Sequence, residues 1–521
     1  MLDRAAEADS IRTGTEVEAK FRVHPPFQIP DLTGGQTGIA SVDNPVVREL
    51  RAVYWDTTDL RLAREGITLR YRTGEGASDG WHLKLPVQEA AVPDTSTGVR
   101  EELHAAGLES AVPEQLHDLV SVHVRGAVLG PVATLVTTRT TYRLRGADER
   151  VRAELTDDVV SVLSQGHVAG RFREIEVESA DGEREVLRTV GNVLRSAGAV
   201  GGEFVPKVVR ALGPKATAEP DPPPPADVDV RAPARLAVQA ILRRYVRIFM
   251  SQDPRLRRGE DDSVHQMRVA ARRLRSALKT FRPLVDETWA NSLREELKWV
   301  ADSLGGARDG EVLLARLQRS LDRLPPELVL GTAAARIQAQ VGGDLVAAQV
   351  HAVETLRTER YLALVDRLVD AAWDPMTTQR AEAATAEAVP ECVALAWRRL
   401  ARAAAHLKRA DATDEHWHKA RIAAKQVRYA SEAVAPFFGK DAKRLAVKAE
   451  EIQELLGEHQ DAAVAADTLR RLAIGPRAGP AAFTFGLLYG REQQAITRTR
   501  EKFPRLWAET SQPAHRKWLR G

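Results

Sequence analysis

The chain has 521 residues, too many for one hydrophobic core, and length alone suggests about three folded units. Apolar residues make up 44% and charged residues 28%, ordinary values for a globular protein, and a net charge of only +3 excludes a global electrostatic argument for a nucleic-acid or membrane partner. The single cysteine, Cys392, excludes an intrachain disulfide framework and fits a reducing cytoplasm.

The first residues, Met1-Leu-Asp-Arg-Ala-Ala-Glu7, are charged and lack an apolar centre, so no secretory signal is read there and a cytoplasmic location is expected. No stretch approaches about 20 apolar residues, so no membrane span is predicted. From there to about Leu212 the pattern predicts strands at Thr15–Val23, Val47–Asp56, Ile67–Arg72, Trp81–Pro86, Ala133–Leu144, Val151–Thr156 and Arg171–Glu178. Gly-, Pro- and Asp-containing turns bound these runs, as in a hairpin-rich antiparallel sheet. Helices are predicted at Pro113–Val120 and Glu183–Ala197. Gly213 to Pro233 holds Pro214, Pro220, the Pro222–Pro225 run and Pro233, which reads as a semi-rigid linker.

Beyond Ala234 the periodicity is helical almost throughout. Helices are predicted at Ala234–Ser251, Asp262–Arg282, Glu287–Leu304, Asp309–Ser320, Pro326–Asp374 with breaks, Thr385–Ala410, Asp414–Ala435, Asp441–Leu456 and Asp461–Leu472. The expected breakers are Pro283, Gly305-Gly306, Pro375, Pro436, Gly439 and Gly457. The fold class is therefore α+β: an antiparallel sheet domain with short helices, then an all-α region.

Three sets of residues in the first half carry chemistry. Glu16-x-Glu18-x-Lys20 places its charges on one strand face, and Glu174-x-Glu176-x-Glu178 does the same late in the domain. Crowded carboxylates repel unless a cation joins them, and Mg²⁺ or Mn²⁺ suits oxygen ligands. Between these strands Arg70 and Arg72 share a face, as do His82 and Lys84, and Arg139 and Arg143, while Glu154 and Asp158 offer further carboxylates on one face of a late strand. A sheet bearing acids and bases on one surface could close into a barrel with a polar lumen, with bases for phosphate oxygens and acids for metal.

These motifs, with Tyr54-Trp55-Asp56-Thr57 and His82-Leu-Lys84-Leu-Pro86, resemble the CYTH family, or triphosphate tunnel metalloenzymes, over about residues 11–212. That family includes inorganic triphosphatases, thiamine triphosphatases and class IV adenylate cyclases. The resemblance implies a tunnel of about eight antiparallel strands. It implies Glu16 and Glu18, with Glu174, Glu176 and Glu178, on the metal side, where Glu154 and Asp158 are expected to add metal ligands from their own strand. Lys20, Arg70, Arg72, Lys84, Arg139, Arg143 and Lys207 would hold phosphates, and Glu16, Glu18 and Lys20 would be catalytic.

In the second half, His265, Arg268, Arg272, Arg275, Lys279 and Arg282 recur at three- and four-residue steps, which makes one cationic stripe on a helix, with Arg273 beside it. Stacked like charges weaken an isolated helix, so the stripe makes sense with a polyanion. His418, Arg421, Lys425 and Arg428 repeat it, each 153 residues after its counterpart (418 − 265, 421 − 268, 425 − 272 and 428 − 275). Leu304-Gly305-x-x-x-Asp309 and Leu456-Gly457-x-x-x-Asp461 follow the two copies, so the unit is duplicated. Asp309 and Asp461 read as helix caps or partners of the basic residues.

The region from about 234 to 515 resembles the CHAD family, which implies two pseudo-symmetric four-helix bundles whose basic channel binds inorganic polyphosphate. The stripes lack the interleaved aromatics of a nucleic-acid binder. His265 has no neighbour at metal-ligand spacing. The combined expectation is a Mg²⁺- or Mn²⁺-dependent hydrolase of inorganic triphosphate carrying a polyphosphate-binding unit, with polyphosphate granules as a possible location. ATP cyclisation and a non-enzymatic polyphosphate scaffold are the alternatives.

Overall fold

The computed structural model describes residues 12–86, 97–201, 205–409, 411–475 and 478–520. Residues 1–11 and 410, on which the leader reading and two predicted boundaries fall, lie outside them. The chain forms two compact units, Met1–Asp221 and Pro222–Gly521.

In the first unit eight strands close into an antiparallel barrel. They are β1 (Arg12–Arg22), β3 (Val46–Asp56), β4 (Thr68–Thr73), β5 (Gly80–Pro86), β6 (Thr97–Ala105), β7 (Gly130–Arg145), β8 (Val151–Ser164) and β9 (His167–Ser179). Two-residue strands β2 (Ser41–Val42) and β10 (Val200–Gly201) pair with β7 and β1. The order β1-β6-β5-β4-β3-β7-β8-β9 returns to β1 through the β1–β9 pairing.

The barrel is apolar on its outside. Ala19, Phe21, Leu155, Ile175 and Val177 pack under the helix Arg184–Ser196 through Leu187, Val190 and Leu194. A Cβ on Gly191 of that helix would come within 3.0 Å of the Phe21 ring, so glycine lets helix and strand approach. Leu69, Trp81, Leu83 and Leu103 pack against Leu116, Leu119 and Val120 of the helix Glu114–Val124. Because alternate residues point to opposite faces, burying the apolar set outside commits the charged set to the lumen.

β6 was not among the predicted strands. Arg100-Glu101-Glu102 dilutes the apolar alternation there, although Val99 and Leu103 keep it. β8 and β9 run well past their predicted ends and meet at a turn where Gln165 and Gly166 take positive φ values of 50° and 82°. The Pro-rich segment is not free of either unit. Ala216 packs with Val208 and Val209, Arg125 pairs with Asp221, and Arg247 in the second unit donates to the Pro222 carbonyl at 2.6 Å.

The second unit is helical. Ala234–Arg257, Ser263–Thr280, Glu287–Ser303 and Gly305–Asp322 form the first copy; Thr385–His406 and the long helix Asp414–Ile474 form the second. The long helix kinks at Gly439, whose φ of 58° only glycine takes without strain. Two predicted breaks are corrected here. The helix runs through both Pro436 and Gly457. Similarly, Gly305 starts a helix one residue after Leu304, which itself keeps a helical conformation.

A Cβ on Gly305 would stand 3.6 Å from the Arg268 guanidinium, and one on Gly457 would stand 3.8 Å from that of Arg421. An arginine of the repeated stripe therefore lies beside each glycine, at a distance that would also admit a Cβ. Among the described residues no helix is long and apolar enough to cross a membrane, and Cys392 is buried.

Candidate functional site

Strand register builds the tunnel wall. Glu18 on β1 sits opposite Glu178 on β9, which sits opposite Glu154 on β8. Lys20 is likewise opposite Glu176, and Glu174 is opposite Asp158, whose partner on β7 is Arg139. The short helix Lys207–Leu212 buries Val208 and Val209 against Tyr54, Leu135 and Val160, and this anchors Lys207 at the lumen. The resulting cavity is about 210 Å³.

Its charges divide into three groups. In the first, Lys207 Nζ lies 2.7 Å from Glu174, 2.7 Å from Glu176 and 3.1 Å from Asp158. Arg139 forks onto Asp158 at 2.9 and 2.7 Å and reaches Glu176 at 3.3 Å. Lys20 bonds Glu176 and stands 3.4 Å from Glu18. Burial alone would raise the Asp158 and Glu176 carboxyls, but Lys207 and Arg139, with Lys20 at Glu176, outweigh it and hold both below the usual range.

Asp158 is fully buried, and Asp158→Ala takes one of three carboxylates from Lys207 and the forked partner from Arg139, which keeps only Glu176 at 3.3 Å. The expected loss is about 3–5 kcal/mol of stability, read from urea unfolding of the barrel. Because its folded-state pKa is lowered, the Asp158 contribution is present above the ordinary carboxylate pKa and is lost as pH falls below it.

The second group is basic. Arg70 and Arg72 stand on β4, with Arg70 donating to the Tyr54 hydroxyl at 3.3 Å and Arg72 bonding Glu75. Burial and the neighbouring Arg70 push the Arg72 guanidinium down to about 10. Glu102 anchors this wall: His82 Nδ1 is at 3.0 Å, Arg70 at 3.5 Å and Lys84 at 3.7 Å. Lys84 also bonds Glu16. His82, Glu102 and His104 bring donor atoms within 4.8 Å of one another, a metal-like grouping. However, His82 uses its second ring nitrogen on the Ser78 carbonyl at 3.0 Å, and burial pushes the imidazole down to about 3. With Arg70 and Lys84 also on Glu102, this group suits a brace for the basic wall better than a cation site.

The third group is acidic. Glu16, Glu18, Glu154 and Glu178 gather on β1, β8 and β9. Burial and the charge of Glu18 push Glu178 up to about 7. Burial and a bond with Glu102 also raise Glu16. Buried carboxyls raised further by their acidic neighbours are what a divalent cation would relieve, and these hard oxygen donors fit such an ion.

The expected residues thus separate. Asp158, Glu174 and Glu176, read as metal-side, are held by cations. Arg143 is exposed, 3.6 Å from Glu154, and is not part of the cavity wall. Arg100 and Glu102 line or brace the tunnel and were missed with their strand, although Arg100-x-Glu102-x-His104 carries the period-two signal.

In the helical unit the two stripes face each other. His265, Arg268, Arg272 and Arg273 of one helix, and His418, Arg421, Lys425 and Arg428 of the other, line a cleft of about 630 Å³. Arg268 pairs with Asp309 at 3.1 Å, so that aspartate is a partner and not a cap. His418 Nδ1 meets Gln460 at 2.9 Å. Arg273 and Arg428 share Glu432, at 2.9 and 2.7 Å. Arg275 and Lys279 leave the cleft and face Arg294, with Asp302 near Arg275 and Arg399 near Lys279.

Burial, Arg421 and Arg272 push the Lys425 ammonium down to about 7. At pH 8 Lys425 is therefore largely neutral, and a polyanion in the cleft restores its charge. A polyanion that binds in the cleft at pH 8 is expected to bring a proton with it, and its affinity to fall as pH rises from 7 to 9. Calorimetry in two buffers of different ionisation heat checks this, and Lys425→Met should abolish the uptake.

Comparison with known proteins agrees with this division. Residues 14–209 match the CYTH domain and residues 240–470 the CHAD domain. Uncharacterized proteins from two strains of Mycobacterium tuberculosis are 36% identical over 513 residues, 94% of either chain. Among solved structures, PptA from Streptomyces chartreusis is 26% identical (TM-score 0.46), covering 53% of this chain and all of that one. The CHAD domain from the plant Ricinus communis is 27% identical (TM-score 0.42), covering 53% of this chain and 94% of that one. The chain belongs to the proteins in which a CYTH domain is joined to a CHAD domain.

Proposed function

We propose that the barrel is a divalent-metal-dependent hydrolase of inorganic triphosphate, and that the helical unit binds inorganic polyphosphate and can bring the chain to polyphosphate granules. The observation that carries the reading is the separation of charge in one closed lumen, acids on β1, β8 and β9 against bases on β4 and β5. CYTH domains are metal-dependent. Glu16, Glu18, Glu154 and Glu178 would hold the ion, which supplies Lewis-acid neutralisation of phosphate charge.

The chain's own residues supply the rest. Arg70, Arg72, Lys84 and Arg100 offer guanidinium and ammonium donors to the non-bridging oxygens, and arginine can take two oxygens at once. Lys20 and Lys207, both bonded to Glu176 in the cavity wall, stabilise charge that grows on the departing diphosphate. Asp158, Glu174 and Glu176 hold Arg139 and Lys207 in place. Water attacks the terminal phosphorus, the bond to the bridging oxygen breaks, diphosphate leaves and the water's proton passes to a luminal carboxylate, with positioning and charge neutralisation supplying the catalysis.

Inorganic triphosphate is favoured over a nucleotide by the walls. Among the described residues the lining aromatic is Tyr54, which offers a hydroxyl to Arg70. At about 210 Å³ the cavity is also smaller than the roughly 300 Å³ at which drug-sized pockets begin. Product analysis tests this: tripolyphosphate should give phosphate and diphosphate with Mg²⁺ or Mn²⁺. Cyclic AMP from ATP, with tripolyphosphate untouched, would establish cyclisation. Polyphosphate binding without turnover of either substrate would establish a scaffold.

A further inference from the structure

A second basic cavity, of about 530 Å³, lies where the helix Ala481–Thr510 packs on Gly305–Asp322 through Phe485 and Leu488 against Leu317 and Leu321. Arg316, Arg319 and Arg323 line it from one side, and Arg491 and Arg498 from the other. Spacings of three, four and seven put each set on one helix face. Nothing in the sequence reading singled these residues out.

The charge there is unbalanced. The two carboxylates in the cavity wall are both taken by Arg316, which bonds Glu492 at 2.9 and 2.6 Å and Glu458 at 3.1 and 2.7 Å. Arg491 donates to the carbonyls of Ser320 and Arg323, neutral acceptors, at 3.4 Å. Arg319, Arg323 and Arg498 have no carboxylate partner among the described residues. Five guanidinium groups thus stand with two carboxylates, an excess of three positive charges among the described residues of the wall. Like-charged neighbours on a helix cost stability, the argument that already marks the first stripe as a polyanion site.

Position links the two cavities, because Arg316 lines both the cleft and this second hollow. We infer that the second cavity extends the polyphosphate site: a chain filling the cleft continues past Arg316, and its next phosphates lie against Arg319, Arg323, Arg491 and Arg498. The helical unit therefore selects long chains over short ones. This rests on the polyphosphate reading of the cleft and deepens it.

The test uses the whole chain and two polyphosphate fractions, one short and one long, titrated over a range of salt. Arg319→Gln/Arg498→Gln changes two exposed side chains, so the fold should be undisturbed. Long-chain affinity should fall about tenfold and the log–log salt slope should flatten by about 1.4, about 0.7 per lost phosphate contact. Short-chain affinity should stay at the wild-type value. Wild-type affinity and slope for long chains, or an equal loss for both fractions, would overturn the extension. Arg272→Gln/Lys425→Gln separates the two failures: it should weaken both fractions. If it weakens neither, the cleft reading fails and the extension with it.

Discussion

Glu18→Ala lowers metal-dependent phosphate release from tripolyphosphate by about 10²–10³-fold, the size of loss seen when one charge-stabilising group leaves an active site. Glu18 stands beside Glu178, which is beside Glu154, so its removal takes one end from the acidic row. The barrel should still fold. Lys20, 3.4 Å from Glu18, keeps its bond to Glu176, and losing one of several crowded acids relieves repulsion. A higher metal concentration should restore part of the activity, which distinguishes a ligand from a structural residue. Initial rates against Mg²⁺ and Mn²⁺ concentration read both effects. A Glu18→Ala chain with unchanged rate and metal dependence would remove Glu18 from the site.

Arg272→Gln/Lys425→Gln weakens polyphosphate binding by somewhat over 100-fold, since two charge-assisted bonds are worth about 3 kcal/mol together. Arg272 and Lys425 line the cleft from its two helices, and after burial and Arg421 the charge of Arg272 weakens the hold of Lys425 on its proton. Removing both takes away the repulsion along with the binding, so the urea midpoint should hold or rise while affinity falls. Tripolyphosphate turnover by the barrel should be unchanged at saturating substrate. A loss of stability in parallel with affinity would mean that the pair supports the fold instead of a ligand.

How much of this was legible in the sequence depended on period and repetition. Glu16-x-Glu18-x-Lys20 and Glu174-x-Glu176-x-Glu178 gave the luminal faces of β1 and β9, because period two fixes which side chains share a surface. The recurrence at 153 residues gave the two stripes of the cleft. What sequence could not give was pairing across strands. Glu174, Glu176 and Glu178 look alike along the chain, yet register sets the first two against Lys207 and Lys20 and the third among other acids.

Local composition misled in two places. Arg100-Glu101-Glu102 hid a strand whose pairing with β1 and β5 supplies its backbone bonds. Gly457 looked like a helix breaker, but the helix runs on through it. Arg275 and Lys279 continue the stripe in sequence but turn towards Arg294, because a straight helix carries its far end past the cleft.

The most direct test of the account is phosphate release from tripolyphosphate by the wild-type chain, with Mg²⁺, with Mn²⁺ and with a chelator in place of metal. The account predicts turnover with either ion and none with chelator. Tripolyphosphate left intact at every metal concentration, by a folded chain that still binds polyphosphate in a salt-sensitive way, would contradict it.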